Sequence, residues 1–156
     1  MLNPDVIAAA RAAEGKWKIP ASISLAQYGL ESGWGQHMPP GSWNPFGIKA
    51  LPGQPSVSVP TREFVHGRYI LVNAPFRAFA SIADAFEHHA RLLATGAPYA
   101  RARSLLPNVE AFANALTGVY ATDPHYGAEL VAIIHGDELA QYDALQGAAA
   151  PVAQPA

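Results

Sequence analysis

Apolar positions recur every three or four residues over 4–15, 20–33 and 81–95, and the pattern changes to alternation over 57–72. The first stretch opens on Asn3-Pro4-Asp5, an N-cap, a proline suited to the first helical position and an acid in the first turn. A helix is expected from there to about Gly15. The second starts at Pro20, carries Ile23, Ala26, Gln27 and Leu30 at helical spacing, and stops at Gly33, a natural left-handed terminus. The third opens on Ser81-Ile82-Ala83-Asp84, a capping-box variant, and runs to about Thr95 with Gly96 beyond it. Its inward stripe would be Ile82, Ala85, Phe86, His89, Leu92 and Leu93. Val109, Phe112, Ala113 and Leu116 predict another helix ending near Gly118. Asp123-Pro124 predicts a cap and first position for one carrying Tyr126, Leu130, Ile133 and Ile134, and a short last helix is expected from Asp137 to about Leu145.

The alternating stretch predicts a β-hairpin. His66-Gly67 is a two-residue turn with glycine where positive φ is wanted, so Val65 should pair with Arg68 and Glu63 with Ile70. One face then holds Val57, Val59, Thr61, Glu63, Val65, Ile70 and Val72, with Glu63 its only acid. Residues 33–56, rich in glycine and proline, read as loop with a short extended piece at 46–49. The expected fold is mainly α (α+β), a helical domain over 1–145 with one hairpin inserted after the second helix. The stretch 146–156 reads as a flexible Ala/Pro-rich tail.

Composition narrows the function. At 156 residues, half of them hydrophobic and 14% charged, the chain can bury a substantial core. A net charge of −2 and no run of Lys or Arg speak against a nucleic-acid partner. Without cysteine there is no disulfide framework and no thiolate nucleophile. No apolar run reaches the roughly 20 residues of a membrane span. The beginning, interrupted by Asp5, Arg11 and Glu14, does not read as a signal peptide, so synthesis in the cytoplasm is expected.

The residue types also limit the chemistry. His88 and His89 are adjacent and diverge by about 100° on a helix, which does not suit one metal, and His89 on the apolar stripe reads as a satisfied core histidine. There is no G-x-S-x-G elbow and no phosphate-binding glycine motif. What remains is carboxylates near aromatics, amides and glycines, the equipment of glycoside cleavage. Glu31, between an apolar helix and Ser32-Gly33-Trp34-Gly35, is the first candidate, since an acid at a helix C-terminus is opposed by the macrodipole and needs a reason to be there. Trp17, Trp34 and Trp43 read first as core residues, with one or two left as a sugar platform.

The segments "SLAQYGLESGWGQ" and "NPFGIKA", followed by "SVSVPTREFVHGRYILVNAPFRAFASIADAFEHHARLL" and "YATDPHYGAELVAII", resemble the glucosaminidase domain of bacterial and phage peptidoglycan hydrolases, glycoside hydrolase family 73. The resemblance covers nearly all of 17–143. It implies a lysozyme-like fold whose hairpin lobe flanks an active-site groove, and an endo-β-N-acetylglucosaminidase acting on peptidoglycan glycan strands. It implies Glu31 as the catalytic general acid, Glu63 as the second catalytic carboxylate and Tyr120 as an active-site tyrosine. Trp34, Asn44, Phe46, Asp123 and Tyr126 would bind substrate. No metal or organic cofactor is implied, and a monomer is expected. The enzyme would act on the cell wall after release or delivery, as a phage lysin, a delivered effector or a domain of a longer protein. A muramidase or lytic transglycosylase on the same scaffold and a non-catalytic wall-binding module stay open as alternatives.

Overall fold

The computed structural model describes residues 2–144. Helix α1 spans Pro4–Trp17 and α2 spans Ala21–Ser32. Strands β1 (Ser56–Val65) and β2 (Arg68–Arg77) form one antiparallel hairpin. Helices α3 (Ile82–Thr95), α4 (Ala100–Ser104), α5 (Val109–Ala115) and α6 (Tyr126–Gly136) follow. Short 3₁₀ turns lie at Ala97–Tyr99 and Leu139–Tyr142. The architecture is the expected α+β one. Among the described residues no helix is long and apolar enough to cross a membrane.

Local signals account for most boundaries. The Asn3 side chain accepts from the Asp5 N–H at 2.8 Å, with Pro4 opening α1. Ser81 accepts from the Asp84 N–H at 3.1 Å at the start of α3, and Gly33 ends α2 at φ +56°. Some expectations need correction. Helix α1 runs two residues past Gly15 and turns out at Lys18, itself left-handed at φ 61°. The last expected helix is only a 3₁₀ turn, and its end at Leu145, like the expected 146–156 tail, lies outside the described residues. The short helical piece over 97–104 carries no apolar periodicity long enough to announce it. Asp123 does not cap α6 directly, because the helix begins at Tyr126; its carboxylate instead accepts from the His125 N–H at 2.8 Å and shapes the turn before it.

Helix α2 is the axis of the domain. Nine consecutive residues, Ala21 to Gly29, are buried, because α1, α3, α6 and the last 3₁₀ turn pack around it. Its N-terminus has no cap of its own, since Pro20 offers no side-chain oxygen. Asp143 supplies one from 121 residues away, accepting from the Ser22 N–H at 2.7 Å and the Ser22 hydroxyl at 2.6 Å. Burial raises the Asp143 pKa above the ordinary range, and the bonds from Ser22 oppose that.

The hairpin has the expected register, Val65 opposite Arg68 and Glu63 opposite Ile70, and extends over 56–77, further than the alternation alone suggests. Its strands pack mainly on each other and little on the helices. Its root is stitched to the preceding loop. The Arg77 N–H donates to the Ile48 carbonyl at 2.8 Å, the Ala50 N–H to the Pro75 carbonyl at 2.9 Å, and the Phe79 N–H to the Ser42 carbonyl at 2.7 Å. The lobe is therefore fixed at its base and free toward its His66-Gly67 tip.

Two side-chain expectations fail. Trp34 and Trp43 are not core residues; they are 38% and 50% exposed, each in a left-handed loop position that carries the ring outward. His89 is fully buried as expected but is not satisfied: among the described residues neither ring nitrogen has a hydrogen-bond partner, and burial holds its pKa down at about 3, so the ring is neutral.

Candidate active site

Glu31 lies on the last turn of α2, one turn beyond Gln27 on the same face, where the helix emerges from the buried run Ala21 to Gly29. The chain then reverses through three consecutive left-handed residues, Gly33, Trp34 and Gly35. Ser32 holds this reversal: its hydroxyl donates to the Tyr28 carbonyl at 2.6 Å and accepts from the Gly35 N–H at 2.8 Å. Glycine is required twice here. A Cβ on Gly35 would come within 2.3 Å of the Tyr28 hydroxyl, and one on Gly29 would strike the Trp34 ring at 2.7 Å. The result is a carboxylate left standing at a helix end, with a wall of loop residues folded around it.

That wall encloses a groove of about 520 Å³ lined by Glu31, Gln36, His37 and Pro39 on one side, Asn44 and Gly47 below, and Val59, Thr61 and Phe76 from the hairpin. The helical body and the β-lobe are thus its two flanks. Glu31 as a whole residue is exposed, but its carboxyl end sits against Tyr126, whose hydroxyl donates to Oε1 at 2.9 Å. The proton affinity of the carboxyl follows its own surroundings and not the residue average. Desolvation in the groove raises its pKa, the dominant effect, and the bond from Tyr126 lowers it.

Tyr126 is 3% exposed and opens α6. Tyr120 stacks on it, centroids 5.7 Å apart and 13° between planes. His89 meets the Tyr120 ring edge-on at 5.9 Å and lies flat on Phe46 at 4.0 Å, so an aromatic column runs from the core to the acid. Burial pushes both tyrosine hydroxyls far above their ordinary pKa, and the Glu31 charge adds to the effect on each. Both phenols are therefore proton donors at any working pH, and they share an electrostatic environment with Glu31.

The remaining expected residues are placed as follows. Glu63 is on the inner hairpin face, two residues beyond Thr61, and pairs with Lys49 at 3.2 Å; it is not among the groups that perturb Glu31. Asn44 is buried and fully engaged, its amide donating to the carbonyls of Ile48 and Arg77 and accepting from the N–H groups of Phe46 and Ile48. It ties the groove floor to the hairpin root. Phe46 is 4% exposed and lies in the aromatic column. Trp34 does not line the Glu31 groove but a neighbouring cleft of about 580 Å³ with Tyr28 and Tyr142; Gln36 lines both. Asp123 is exposed, and its carbonyl accepts from the Tyr126 N–H at 3.1 Å. Among the described residues no group of three metal-ligating side chains converges.

Sequence reasoning missed two residues that shape this site. Gln27 reads only as one position of a helical stripe, yet its buried amide contacts the Tyr126 hydroxyl at 2.8 Å. Gly127, beside Tyr126, is where α6 presses onto α5. A buried polar residue within an apolar helix was the one available signal for Gln27.

Comparison with known proteins agrees with this geometry. The family model described as "Mannosyl-glycoprotein endo-beta-N-acetylglucosaminidase" matches residues 7–139. A probable N-acetylmuramidase of Lactococcus lactis is 36% identical over 135 residues, which is 81% of this chain and 31% of that protein. The chain therefore spans about a third of that relative's length. The catalytic domain of the autolysin Auto from Listeria monocytogenes superposes with a TM-score of 0.80 at 29% identity, covering 89% of this chain and 84% of that one. A truncated glycoside hydrolase domain of FlgJ from Salmonella typhimurium gives a TM-score of 0.70 at 33% identity over 86% of this chain and 96% of that one.

Proposed function

The chain belongs to the glucosaminidase family, and from that premise we propose that it is an endo-acting β-N-acetylglucosaminidase that hydrolyses peptidoglycan glycan strands. The observation that carries the proposal is Glu31, a carboxyl of raised pKa facing a groove between helical body and hairpin lobe. A group that keeps its proton nearer neutral pH can deliver it to the departing glycosidic oxygen as the bond to N-acetylglucosamine breaks. Tyr126 holds Glu31 in place, and Tyr120, stacked on the Tyr126 ring, backs it at the cleavage point.

Glu63 serves as the second carboxylate, as base or as electrostatic partner of the developing sugar cation. Its place on the inner hairpin face, along from groove residues Val59 and Thr61, supports this, and its pairing with Lys49 gives it somewhere to rest until the lobe closes. The substrate's own acetamido oxygen can share that work. Glu63→Gln should therefore slow lysis by about tenfold or more, yet less than loss of Glu31 does. Unchanged lysis by a folded Glu63→Gln protein would remove Glu63 from the mechanism.

Asn44 and Phe46 support the groove by holding its floor, Asp123 by shaping the turn that presents Tyr126. Trp34 contributes further along the strand, where Gln36 joins the two clefts, and a site of that length suits cutting within a chain. Hydrolysis itself is tested by incubating the purified protein with insoluble cell wall. Falling turbidity with release of soluble reducing ends is expected. Co-sedimentation with the wall and no released sugar would instead identify a binding module.

A further inference from the structure

Gln27 lies one helical turn before Glu31 on α2 and is 0% exposed. Its Nε2 donates to the Tyr126 hydroxyl at 2.8 Å, and that hydroxyl donates to Glu31 Oε1 at 2.9 Å. The other end of the amide, Oε1, is buried without a partner among the described residues. An orphaned amide oxygen costs stability, so an apolar side chain of similar shape would suit the core better. Stability therefore does not explain the choice of glutamine.

Hydrogen-bond direction does. A phenol has one proton to give, and an amide N–H can only donate. With Gln27 occupying its acceptor side, the Tyr126 hydroxyl has its proton directed at Glu31. We infer that Gln27 is a positioning residue that fixes the direction of the Tyr126–Glu31 hydrogen bond and so leaves Oε2 as the oxygen of Glu31 that carries the acid proton. The inference rests on the reading of Glu31 as general acid. It also explains how the proton affinity of Glu31 is bounded: desolvation pushes it up, and an enforced donation to Oε1 holds it from rising further. Without Gln27 the hydroxyl can turn, accept from a protonated Glu31 and draw the acid proton back into the protein.

The test is Gln27→Met in the full chain, read by ¹³C NMR titration of the Glu31 carboxyl and by the pH profile of wall lysis. The carboxyl midpoint should move to higher pH by about half a unit, and the basic limb of the lysis profile should move with it. Turnover should fall about tenfold at saturating substrate with little change in KM. In a Tyr126→Phe background the same substitution should move neither midpoint nor turnover. A folded Gln27→Met protein with an unmoved carboxyl midpoint would overturn the inference, as would an equal displacement with and without the Tyr126 hydroxyl. Should the variant not fold, the wild-type ¹⁵N resonance of the Gln27 amide decides: it must titrate with the Glu31 midpoint, and a flat response is fatal. The titration needs no turnover, so its failure is separable from failure of the acid assignment, which lysis by Glu31→Gln decides.

Discussion

Glu31→Gln is expected to lose at least about a hundredfold in wall lysis, the worth of a positioned acid, while folding as well as the parent. Glutamine keeps the shape and can still accept the bond that Tyr126 donates, so the groove should persist. The stability argument has a definite sign. The folded-state pKa of Glu31 lies above its unfolded value, so the fold favours the protonated form. That contribution is fully present below the unfolded pKa, about 4.3, and is lost as pH rises through the folded one. At neutral pH the ionised carboxyl is a liability that glutamine removes. Thermal melts should therefore show Glu31→Gln no less stable than the parent at pH 7, with any advantage vanishing near pH 4. Near-native lysis by this folded variant would remove Glu31 as the acid.

Gly127→Ala should damage stability severely for a single methyl group. A Cβ there would lie 2.5 Å from Asn114 Cα, 2.7 Å from Thr117 Oγ1 and 2.8 Å from the Ala113 carbonyl. Two of these are backbone atoms of the α5 end, which cannot swing aside as a side-chain tip can. Alanine's better helix propensity returns at most about 1 kcal/mol. Overpacking of this kind costs about 2–3 kcal/mol and wins. The Gly127 N–H also donates to Thr117 Oγ1 at 3.0 Å, a bond that separation of α6 from α5 would break. For a chain of this size the melting temperature should fall by about 5–10 °C. Because the neighbouring residue is Tyr126, lysis should fall even below the melt. An unchanged melting temperature would mean that α5 and α6 are less tightly joined than they stand here.

The elements that local chemistry defines were legible in the chain. Asn3-Pro4, Ser81 and Gly33 mark helix ends by effects acting within a turn, and His66-Gly67 sets a register that places every hairpin side chain on its face. The candidate acid was legible for a related reason, since Glu31 contradicts the preference of its position. What the chain did not announce is what tertiary packing decides. The cap of α2 comes from Asp143, and no local pattern links residues that far apart. Trp34 and Trp43 are large and apolar, yet a left-handed backbone carries them outward. His89 looks like a histidine that must have a partner, and it is held instead by stacking on Phe46 and an edge-on contact with Tyr120. Gln27 matches the helical period like its apolar neighbours, and only the arrival of Tyr126 from α6 gives it a role.

The central claim is that this groove cleaves a glycan strand on the N-acetylglucosamine side, with Glu31 protonating the leaving oxygen. Mass spectrometry of wall digested to completion, with the products reduced by borohydride, tests it most directly. The account predicts fragments ending in reduced N-acetylglucosamine, absent from the Glu31→Gln digest. Fragments ending in reduced N-acetylmuramic acid, or in its anhydro form, would contradict it.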